Sequence, residues 1–264
     1  MDFLLECIGF SPEVSEEDLI DLIQAQGEAA AWRGDPEHHR LLKLGSGLEV
    51  RADRSPGSAP GASFWTLTPQ FQVPHRLRFA VTSIVRHTDS PFDALLTGWA
   101  APPIGPPGSA SPASRAGAYR MSTWVSDARR LGSRIFPGHV LAISMAGFAV
   151  HVDRVIPNED VRDALILDRV AGADIRPLGA PDDPGGCCEV SLRIQAIRRL
   201  KNEVTGEPVE IAVCDAPDRP MLLFLSPWQL KGDGHPAPKP GMRIEGTFMF
   251  TGRIAGGLPK RRPK

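Results

Sequence analysis

Several features that identify common classes of protein are scarce in this chain. Among its 264 residues there are four cysteines and one tyrosine, and aromatic residues make up 6%. The cysteines, Cys7, Cys187, Cys188 and Cys214, show neither the dense spacing of a small secreted protein nor the C-x-x-C spacing of a metal site. We therefore expect ordinary thiols and no bound metal or cofactor. Only the adjacent pair Cys187 and Cys188 leaves a redox role open.

Long hydrophobic runs are also missing. The longest nearly apolar stretch, residues 140–150, contains Ser144 and Gly147, and it is far shorter than the roughly 20 residues that span a bilayer. Near the N-terminus, Asp2 and Glu6 interrupt the apolar residues, and no basic segment or small-residue cleavage site follows. These patterns predict a cytoplasmic protein without a membrane span.

Signatures of the common catalytic sites are absent as well. The chain has no phosphate-binding G-x-x-x-x-G-K-[ST] loop and no G-x-G-x-x-G, G-x-S-x-G, H-E-x-x-H or S-x-x-K sequence. His151 and Asp153 stand two residues apart, which places both on one face of a strand. A general base also needs a nucleophile or a metal nearby, and the sequence identifies neither. We therefore interpret this pair as a surface pair and predict that the protein is not an enzyme.

What the sequence does contain is the composition of a folded, strand-rich protein, with 42% apolar and 23% charged residues. The patterns predict the α+β class, mainly β. Residues 1–74 are expected to form a small β-α-β-β unit, with a strand at 3–10 and a helix that starts at Ser15. Strands then follow at 44–54, with its polar residues outward, and at 64–71.

Two later segments, 75–157 and 187–256, share a series of landmarks. Each begins with an alternating apolar strand, continues to a Ser-x-Trp sequence, and then reaches a Pro-Gly turn before a long β-rich run. The matched residues are Leu77, Phe79, Val81 and Ile84 with Val190, Leu192, Ile194 and Ile197, then Trp124 with Trp228, and Pro137-Gly138 with Pro240-Gly241. We interpret the match as an internal repeat, with Trp124 and Trp228 at equivalent core positions.

The order of predicted strands in each copy resembles the five-stranded oligonucleotide/oligosaccharide-binding barrel, the OB-fold. The resemblance implies two related OB-like barrels after the N-terminal unit, and single-stranded nucleic acid as one class of ligand. A Pro-rich loop at 102–117 interrupts the first copy, a connector at 158–186 with a short helix joins the two copies, and a basic tail at 257–264 follows the second.

Charge is distributed unevenly along the chain. Residues 1–186 carry 17 Lys and Arg against 23 Asp and Glu, whereas residues 187–264 carry 13 against 8. Basic residues of the second copy alternate with apolar ones, so several are expected to share an outward strand face. These candidate ligand-binding residues are Arg193, Arg198, Arg199, Lys201, Arg243 and Arg253.

Two functions follow from these observations. Glutamates interspersed among the basic residues favour an ordinary solvated surface over a phosphate-binding track. The first hypothesis is therefore a non-catalytic binding or assembly module that acts through protein–protein contacts. The alternative is single-stranded nucleic-acid binding through the C-terminal OB-like barrel.

Overall fold

The computed structural model describes residues 3–30, 38–56, 63–86, 93–102, 117–127, 135–157, 174–179 and 184–257. The described chain contains three helices, which are α1 (Phe3–Glu6), α2 (Glu16–Gln26) and α3 (Pro227–Gly232). Its strands are β1 (Glu28–Ala29), β2 (His39–Gly45), β3 (Leu48–Pro56), β4 (Ser63–Phe71), β5 (Leu77–Arg86), β6 (Ala94–Ala100), β7 (Tyr119–Val125), β8 (Val140–Ile156), β9 (Asp174–Gly179), β10 (Pro184–Lys201), β11 (Pro208–Asp215), β12 (Met221–Leu225) and β13 (Arg243–Gly256). The mainly β, α+β class is thereby confirmed. In these ranges, no helix has the length and apolar character needed to cross a membrane.

The N-terminal part differs from the predicted β-α-β-β unit. The strand expected at residues 3–10 is wrong, because the segment forms helix α1 and a turn in which Gly9 has a φ of 86°. Its apolar residues other than Phe3, among them Leu5, Ile8 and Phe10, are buried, and periodicity cannot assign so short an apolar run to a strand or a helix. The next helix is confirmed, since the Ser15 side chain accepts a hydrogen bond from the Asp18 backbone N–H.

The strand expected at residues 44–54 is also two strands rather than one. Strands β2 and β3 form a hairpin that turns at Gly45, Ser46 and Gly47, and these three residues have φ values of 88°, 52° and 83°. Two glycines in a left-handed turn are typical of a tight hairpin. The N-terminal sheet consequently has four strands in the order β1-β2-β3-β4.

The two later segments share a single nine-stranded sheet. Its centre is a long antiparallel ribbon of β8 and β13, which runs from the Arg243–Ile156 pair to the Gly256–Ala142 pair. The second edge of β8 pairs first with β5 and then, in parallel, with β12. The second edge of β13 pairs with β10 and then, in parallel, with β7. Each segment therefore completes its circuit of strands by pairing with the long strand of the other.

Local details also match between the two segments. The β5–β6 ladder has a bulge between Val81 and Ser83, and the β10–β11 ladder has one between Ile194 and Ala196. The Gly138 N–H donates to the Val81 carbonyl at 2.7 Å, and the Gly241 N–H donates to the Ile194 carbonyl at 2.8 Å. Both Pro-Gly landmarks thus make the same turn against the same position of the first strand.

The expected equivalence of Trp124 and Trp228 is wrong. Trp124 lies in β7, where its register partner in the parallel pairing is Thr251 of β13. The residue in the corresponding pairing of the other half is Phe224, which is opposite Phe148 of β8. Trp228 instead lies in helix α3, because Ser226 caps that helix and Pro227 occupies its first turn.

The remaining predictions concern the connector, the Pro-rich loop and the basic tail. Strand β9 and the first residues of β10 belong to the segment expected to be a connector, 158–186. The helix expected within that connector, most of the Pro-rich loop 102–117 and nearly all of the tail 257–264 lie outside the described residues.

One hydrophobic core extends through both sheets. The Phe224 ring stacks on Phe148 with ring centroids 4.7 Å apart and meets Phe71 of the N-terminal sheet edge-on at 5.1 Å. The buried Asn202 side chain donates to the Ile8 carbonyl at 2.9 Å. These contacts hold the N-terminal part of the chain, including its sheet, against the nine-stranded sheet.

Candidate functional site

A pocket of about 140 Å³ lies between the N-terminal sheet and the nine-stranded sheet. One face of the β3–β4 hairpin forms its first wall, and the end of β7 with the second half of β13 forms the opposite wall. The lining residues are Arg51, Asp53, Ser55, Phe64, Thr66, Thr68, Gln70, Asp93, Trp124, Val125, Ser126, Met249 and Thr251.

Strand alternation explains the polar wall. Successive side chains of a strand point to opposite faces, so Arg51, Asp53 and Ser55 project together from β3. Thr66, Thr68 and Gln70 project beside them from β4, with Arg51 opposite Thr68 in the register. The sequence predicted that these polar residues face outward, and that prediction is wrong. Another layer covers this face, and Arg51 and Asp53 are only 4% and 5% exposed.

A chain of ionic contacts crosses this wall. The Arg51 Nε donates to Asp53 Oδ2 at 2.6 Å, and its Nη2 donates to Asp93 Oδ2 at 3.0 Å. The other oxygen of the Asp53 carboxylate lies 2.8 Å from His39 Nδ1. A buried charge without a partner is costly, so these mutual contacts are what allow a guanidinium and a carboxylate to remain inside the protein.

The opposite wall is mostly apolar. Trp124 and Val125 end β7, and Met249 lies nearby on β13. Thr251 joins the two walls, because its hydroxyl donates to the Pro69 carbonyl at 2.9 Å. Phe64, which lines the pocket from β4, is 47% exposed and therefore stands at the solvent edge.

Two polar atoms of the lining residues have no hydrogen-bond partner within the described residues. They are the Ser126 Oγ and the Gln70 Nε2, and both are buried. Most buried polar atoms in native proteins are satisfied, so two such atoms in residues that line one pocket are unusual. Both atoms are enclosed by the protein and are not exposed on the surface of the pocket.

The second segment, residues 187–256, has a place that corresponds to the position of Ser126, and there the chain itself fills the space. Ser226 follows β12 as Ser126 follows β7, and its hydroxyl donates to Glu6 Oε2 at 2.9 Å. Glu6 belongs to helix α1, whose Leu4 and Leu5 are buried beside it. The corresponding place in the second half is thus occupied by a segment of the chain, and its serine has an oxygen partner.

The basic residues expected to bind a ligand do not form one cluster. Arg253 is held by Glu49 at 2.5 Å and by Gln70, at the contact with the N-terminal sheet. Arg199 donates to Glu210 at 2.9 Å on the surface. These two arginines therefore have local carboxylate partners in different parts of the fold.

The remaining four basic residues lie along β10 and the start of β13. Arg193 and Arg243 are register partners, and Arg243 is buried, with its guanidinium donating to the Ser191 carbonyl and hydroxyl. Burial lowers the pKa of Arg243 below its ordinary value. Arg193, Arg198 and Lys201 are exposed, as is Arg199 beside Glu210.

The predicted histidine and cysteine features lie away from the pocket. His151 and Asp153 are 3.3 Å apart and both more than half exposed, which fits a surface pair. All four cysteines are free thiols. Burial raises the pKa of Cys188 to about 12 and also raises the pKa of Cys187, so neither is a thiolate at neutral pH. Within the part of the chain that the structure describes, no group of three ligating side chains could hold a metal ion.

Sequence reasoning did not find this pocket. The available signal was the alternation of charged and hydroxyl side chains on two adjacent strands, but the same alternation is typical of a strand face in water. Comparison of the chain with protein-family models, with curated proteins and with solved structures finds no match.

Proposed function

We propose that this protein is a non-catalytic binding protein and that the pocket between its two sheets is the binding site. The observation that supports this proposal is a concave site between the two sheets that combines the aromatic side chains of Phe64 and Trp124 with the polar side chains of Arg51, Thr66 and Thr68. Ligand sites are typically concave and mostly apolar, with a few polar groups that orient the ligand. The pocket has this composition.

The chemistry of the pocket favours binding over catalysis. Nucleophilic catalysis requires a hydroxyl or thiol in contact with a base, and the Ser126 hydroxyl contacts no base among the described residues. The His39 Nδ1 lies against Asp53, in a network that also includes Arg51. These contacts have the character of a rigid polar wall that positions hydrogen-bonding groups.

A screen of small molecules tests this proposal. The protein is titrated with a library of polar aromatic fragments, and binding is measured by thermal shift and by ligand-observed NMR. Thr66 is exposed and lines the pocket, so Thr66→Trp should fill the entrance while remaining compatible with a strand. Thr66→Ala is the matched control, because it changes the same position without filling the space.

We expect fragments that bind the wild-type protein and Thr66→Ala but not Thr66→Trp. The physical reason is that an indole at position 66 would occupy the volume that a ligand needs. If no fragment binds, or if Thr66→Trp binds every fragment as the wild type does, the pocket is not the binding site.

We also propose that the exposed surface of this protein contacts a partner protein in an assembly. Large apolar side chains more than 45% exposed in the described chain are Phe3, Phe64, Val85 and Phe136. Exposed aromatic residues are typical anchors of protein interfaces. Affinity purification with and without nuclease, compared between wild type and Phe136→Ser, tests it. A partner that survives nuclease and is lost from Phe136→Ser supports an assembly role, whereas the absence of any retained protein opposes it.

We retain two related OB-like barrels, arisen from an internal repeat, as the interpretation of the nine-stranded sheet. Its support is the matched pairing, with bulges after Val81 and Ile194 and the same turn at Gly138 and Gly241. Single-stranded nucleic-acid binding through the C-terminal barrel is the second candidate function. It is supported by the exposed Arg193, Arg198 and Lys201 on one strand.

A further inference from the structure

Trp124 lines the pocket from β7, and the aromatic residue at the other parallel pairing of the sheet, Phe224, is packed differently. We propose that the pocket binds a small neutral molecule with one aromatic ring, which lies against Trp124 as the Phe148 ring lies against Phe224. The inference rests on the proposed function, because it names the class of ligand that the same pocket takes. Its support comes from the packing at the two parallel pairings, the polar contacts of the pocket wall and the volume of the pocket.

The two parallel pairings differ in the residue that is opposite the aromatic side chain. Phe224 of β12 is opposite Phe148 of β8, and the two rings stack with centroids 4.7 Å apart. Trp124 of β7 is opposite Thr251 of β13. Register partners on adjacent strands project from the same face of a sheet. The side chain beside Trp124 is therefore a threonine, where the side chain beside Phe224 is a phenylalanine.

The space beside Trp124 takes the place of a ring. Phe224 is fully buried, with Phe148 stacked on it and the Phe71 ring edge-on at 5.1 Å. Trp124 is only partly buried, and the pocket lies beside it and Thr251. Aromatic rings favour stacked or edge-to-face contact with other rings. A ligand ring in the pocket would give Trp124 the contact that Phe224 obtains from its own chain.

The charged groups of the pocket wall are held by one another. The Arg51 guanidinium donates to Asp53, to Asp93 and to the Thr68 hydroxyl. The Asp53 carboxylate also contacts His39, and both carboxylates have further contacts in the chain. A charged ligand would have to displace these contacts or lose its hydration without a partner, and both are costly. The wall therefore favours a neutral ligand over a ligand of either charge.

Other polar groups of the lining are engaged or enclosed. The Thr251 hydroxyl donates to the Pro69 carbonyl, and the Gln70 Oε1 accepts from Arg253. The Gln70 Nε2 and the Ser126 Oγ are enclosed by the protein. A ligand in this pocket therefore contacts mainly carbon atoms. The apolar side chains that line it are those of Phe64, Trp124, Val125 and Met249.

The volume of the pocket fits one ring. It is about 140 Å³, and an apolar cavity of about 150 Å³ is able to bind benzene. Such a volume holds a six-membered ring with small substituents, but not a stretch of polypeptide. Phe64 and Thr66 are exposed at the edge of the pocket, so a small molecule can enter from solvent. We therefore assign the ring to a free small molecule.

Isothermal titration of the full chain with phenol at pH 7 tests the inference, because phenol is a single ring that is neutral at this pH. Cyclohexanol is the matched ligand control, since it has the same ring size and hydroxyl without the aromatic character. We expect phenol to bind about two- to tenfold more tightly than cyclohexanol, the range for an aromatic contact. Benzoate and benzylammonium are the controls for charge, and each should bind at least about tenfold more weakly than phenol.

The matched variants are Thr251→Phe and Thr251→Ser. Thr251→Phe supplies a ring from the chain itself, as Phe148 does at the other pairing, and should abolish phenol binding. Thr251→Ser keeps the hydroxyl that donates to Pro69 and leaves the space open, so it should bind phenol as the wild type does. Circular dichroism checks that each variant is folded. Should Thr251→Phe fail to fold, Thr66→Trp replaces it, because it fills the same pocket from the opposite wall.

Four outcomes overturn the inference. They are the absence of phenol binding, equal binding of phenol and cyclohexanol, equal binding of phenol and a charged control, and equal phenol binding by wild type and the folded filling variant. Tighter binding of N-acetylphenylalanine amide than of phenol would also overturn it, because the ring would then belong to a side chain of a partner protein. If phenol fails while other fragments bind and are blocked by Thr66→Trp, only the ligand class is wrong and the proposed function stands. If nothing binds in the pocket, both are wrong.

Discussion

Two serines in matching places have different surroundings, and this difference can be measured at the scale of single residues. The Ser226 hydroxyl accepts from the Gln229 N–H at the start of α3 and donates to the buried Glu6 carboxylate. Ser126 Oγ has no partner among the described residues. We expect Ser226→Ala to lower the free energy of unfolding by about 1 to 3 kcal/mol, because it removes a helix cap and leaves a buried carboxylate unpaired.

Ser126→Ala provides the control for this prediction. Removing an unsatisfied hydroxyl costs little, so its free energy of unfolding should stay within about 0.5 kcal/mol of the wild type. Urea denaturation followed by circular dichroism measures both variants. Equal losses of stability in the two variants would contradict the different environments described for these serines.

The buried thiols predict how stability depends on pH. Burial raises the folded-state pKa of Cys188 to about 12 and raises that of Cys187 and Cys214 as well. As pH rises above the ordinary thiol pKa of about 8.5, thiols of the unfolded chain ionise while those of the folded chain stay neutral. The unfolded state then binds fewer protons, so the free energy of unfolding falls as pH increases from 9 towards 12.

Urea denaturation at pH 8 and at pH 10 measures this effect. We expect a loss of up to about 1.4 kcal/mol per pH unit for each fully shifted thiol above the unfolded pKa. Cys188→Ala should make the loss smaller, because it removes one of the titrating groups. An unchanged pH dependence in Cys188→Ala would show that this thiol does not couple to folding.

At the scale of elements, the ribbon of β8 and β13 depends on close packing at its centre. Gly147 of β8 is opposite Phe250 of β13 and lies beside Leu223 of β12. A Cβ at Gly147 would lie 2.8 Å from the Leu223 Cδ2 and 2.8 Å from the Phe250 Cε1. We expect Gly147→Ala to destabilise the fold by about 1 to 3 kcal/mol, the usual cost of overpacking a core.

Gly256→Ala is the matched control, since it lies near the end of the same ribbon. Its nearest neighbour would be the Ala142 Cβ at 3.9 Å, an ordinary contact. Thermal unfolding should show a clear decrease in Tm for Gly147→Ala and a change within about 0.5 kcal/mol for Gly256→Ala. A well-tolerated Gly147→Ala would contradict the close approach of the three strands.

At the scale of the whole molecule, the nucleic-acid alternative predicts a basic surface on the C-terminal half. Binding of oligothymidine through this surface should weaken steeply with salt, because neutralised phosphates release counterions. Arg193, Arg198 and Lys201 are exposed members of the predicted basic set, and the fourth exposed member, Arg199, pairs with Glu210. Reversing these three to Glu should abolish such binding, whereas removing residues 260–264 should only reduce it.

Arg253→Glu is an unsuitable reversal for this test, because Arg253 bonds Glu49 and Gln70 in the interior contact. Fluorescence anisotropy at 50 and 200 mM salt measures the binding. Affinity that does not depend on salt, or that survives the triple reversal, would reject a phosphate-binding surface on β10.

The sequence predicted some features because their causes are local. The cap at Ser15 follows from a side chain that reaches a backbone N–H three residues away. The turns at Gly138 and Gly241 follow from the left-handed φ that glycine adopts readily. Trp228 was misassigned because a serine two residues before a tryptophan can cap a helix or belong to a strand, and only Pro227 at the helix start distinguishes the two.

The sequence by itself determined the β-rich class, the turns at Gly138 and Gly241 and the matched series of landmarks, since alternation and turn chemistry act over a few residues. Only the tertiary structure decided that β8 and β13 pair with each other and close both halves, because strand pairing joins residues distant in the chain. It also decided that Arg51 and Asp53 face a covered pocket instead of water. A period of two identifies the side chains that share a face, but the layer that packs against that face depends on the whole chain.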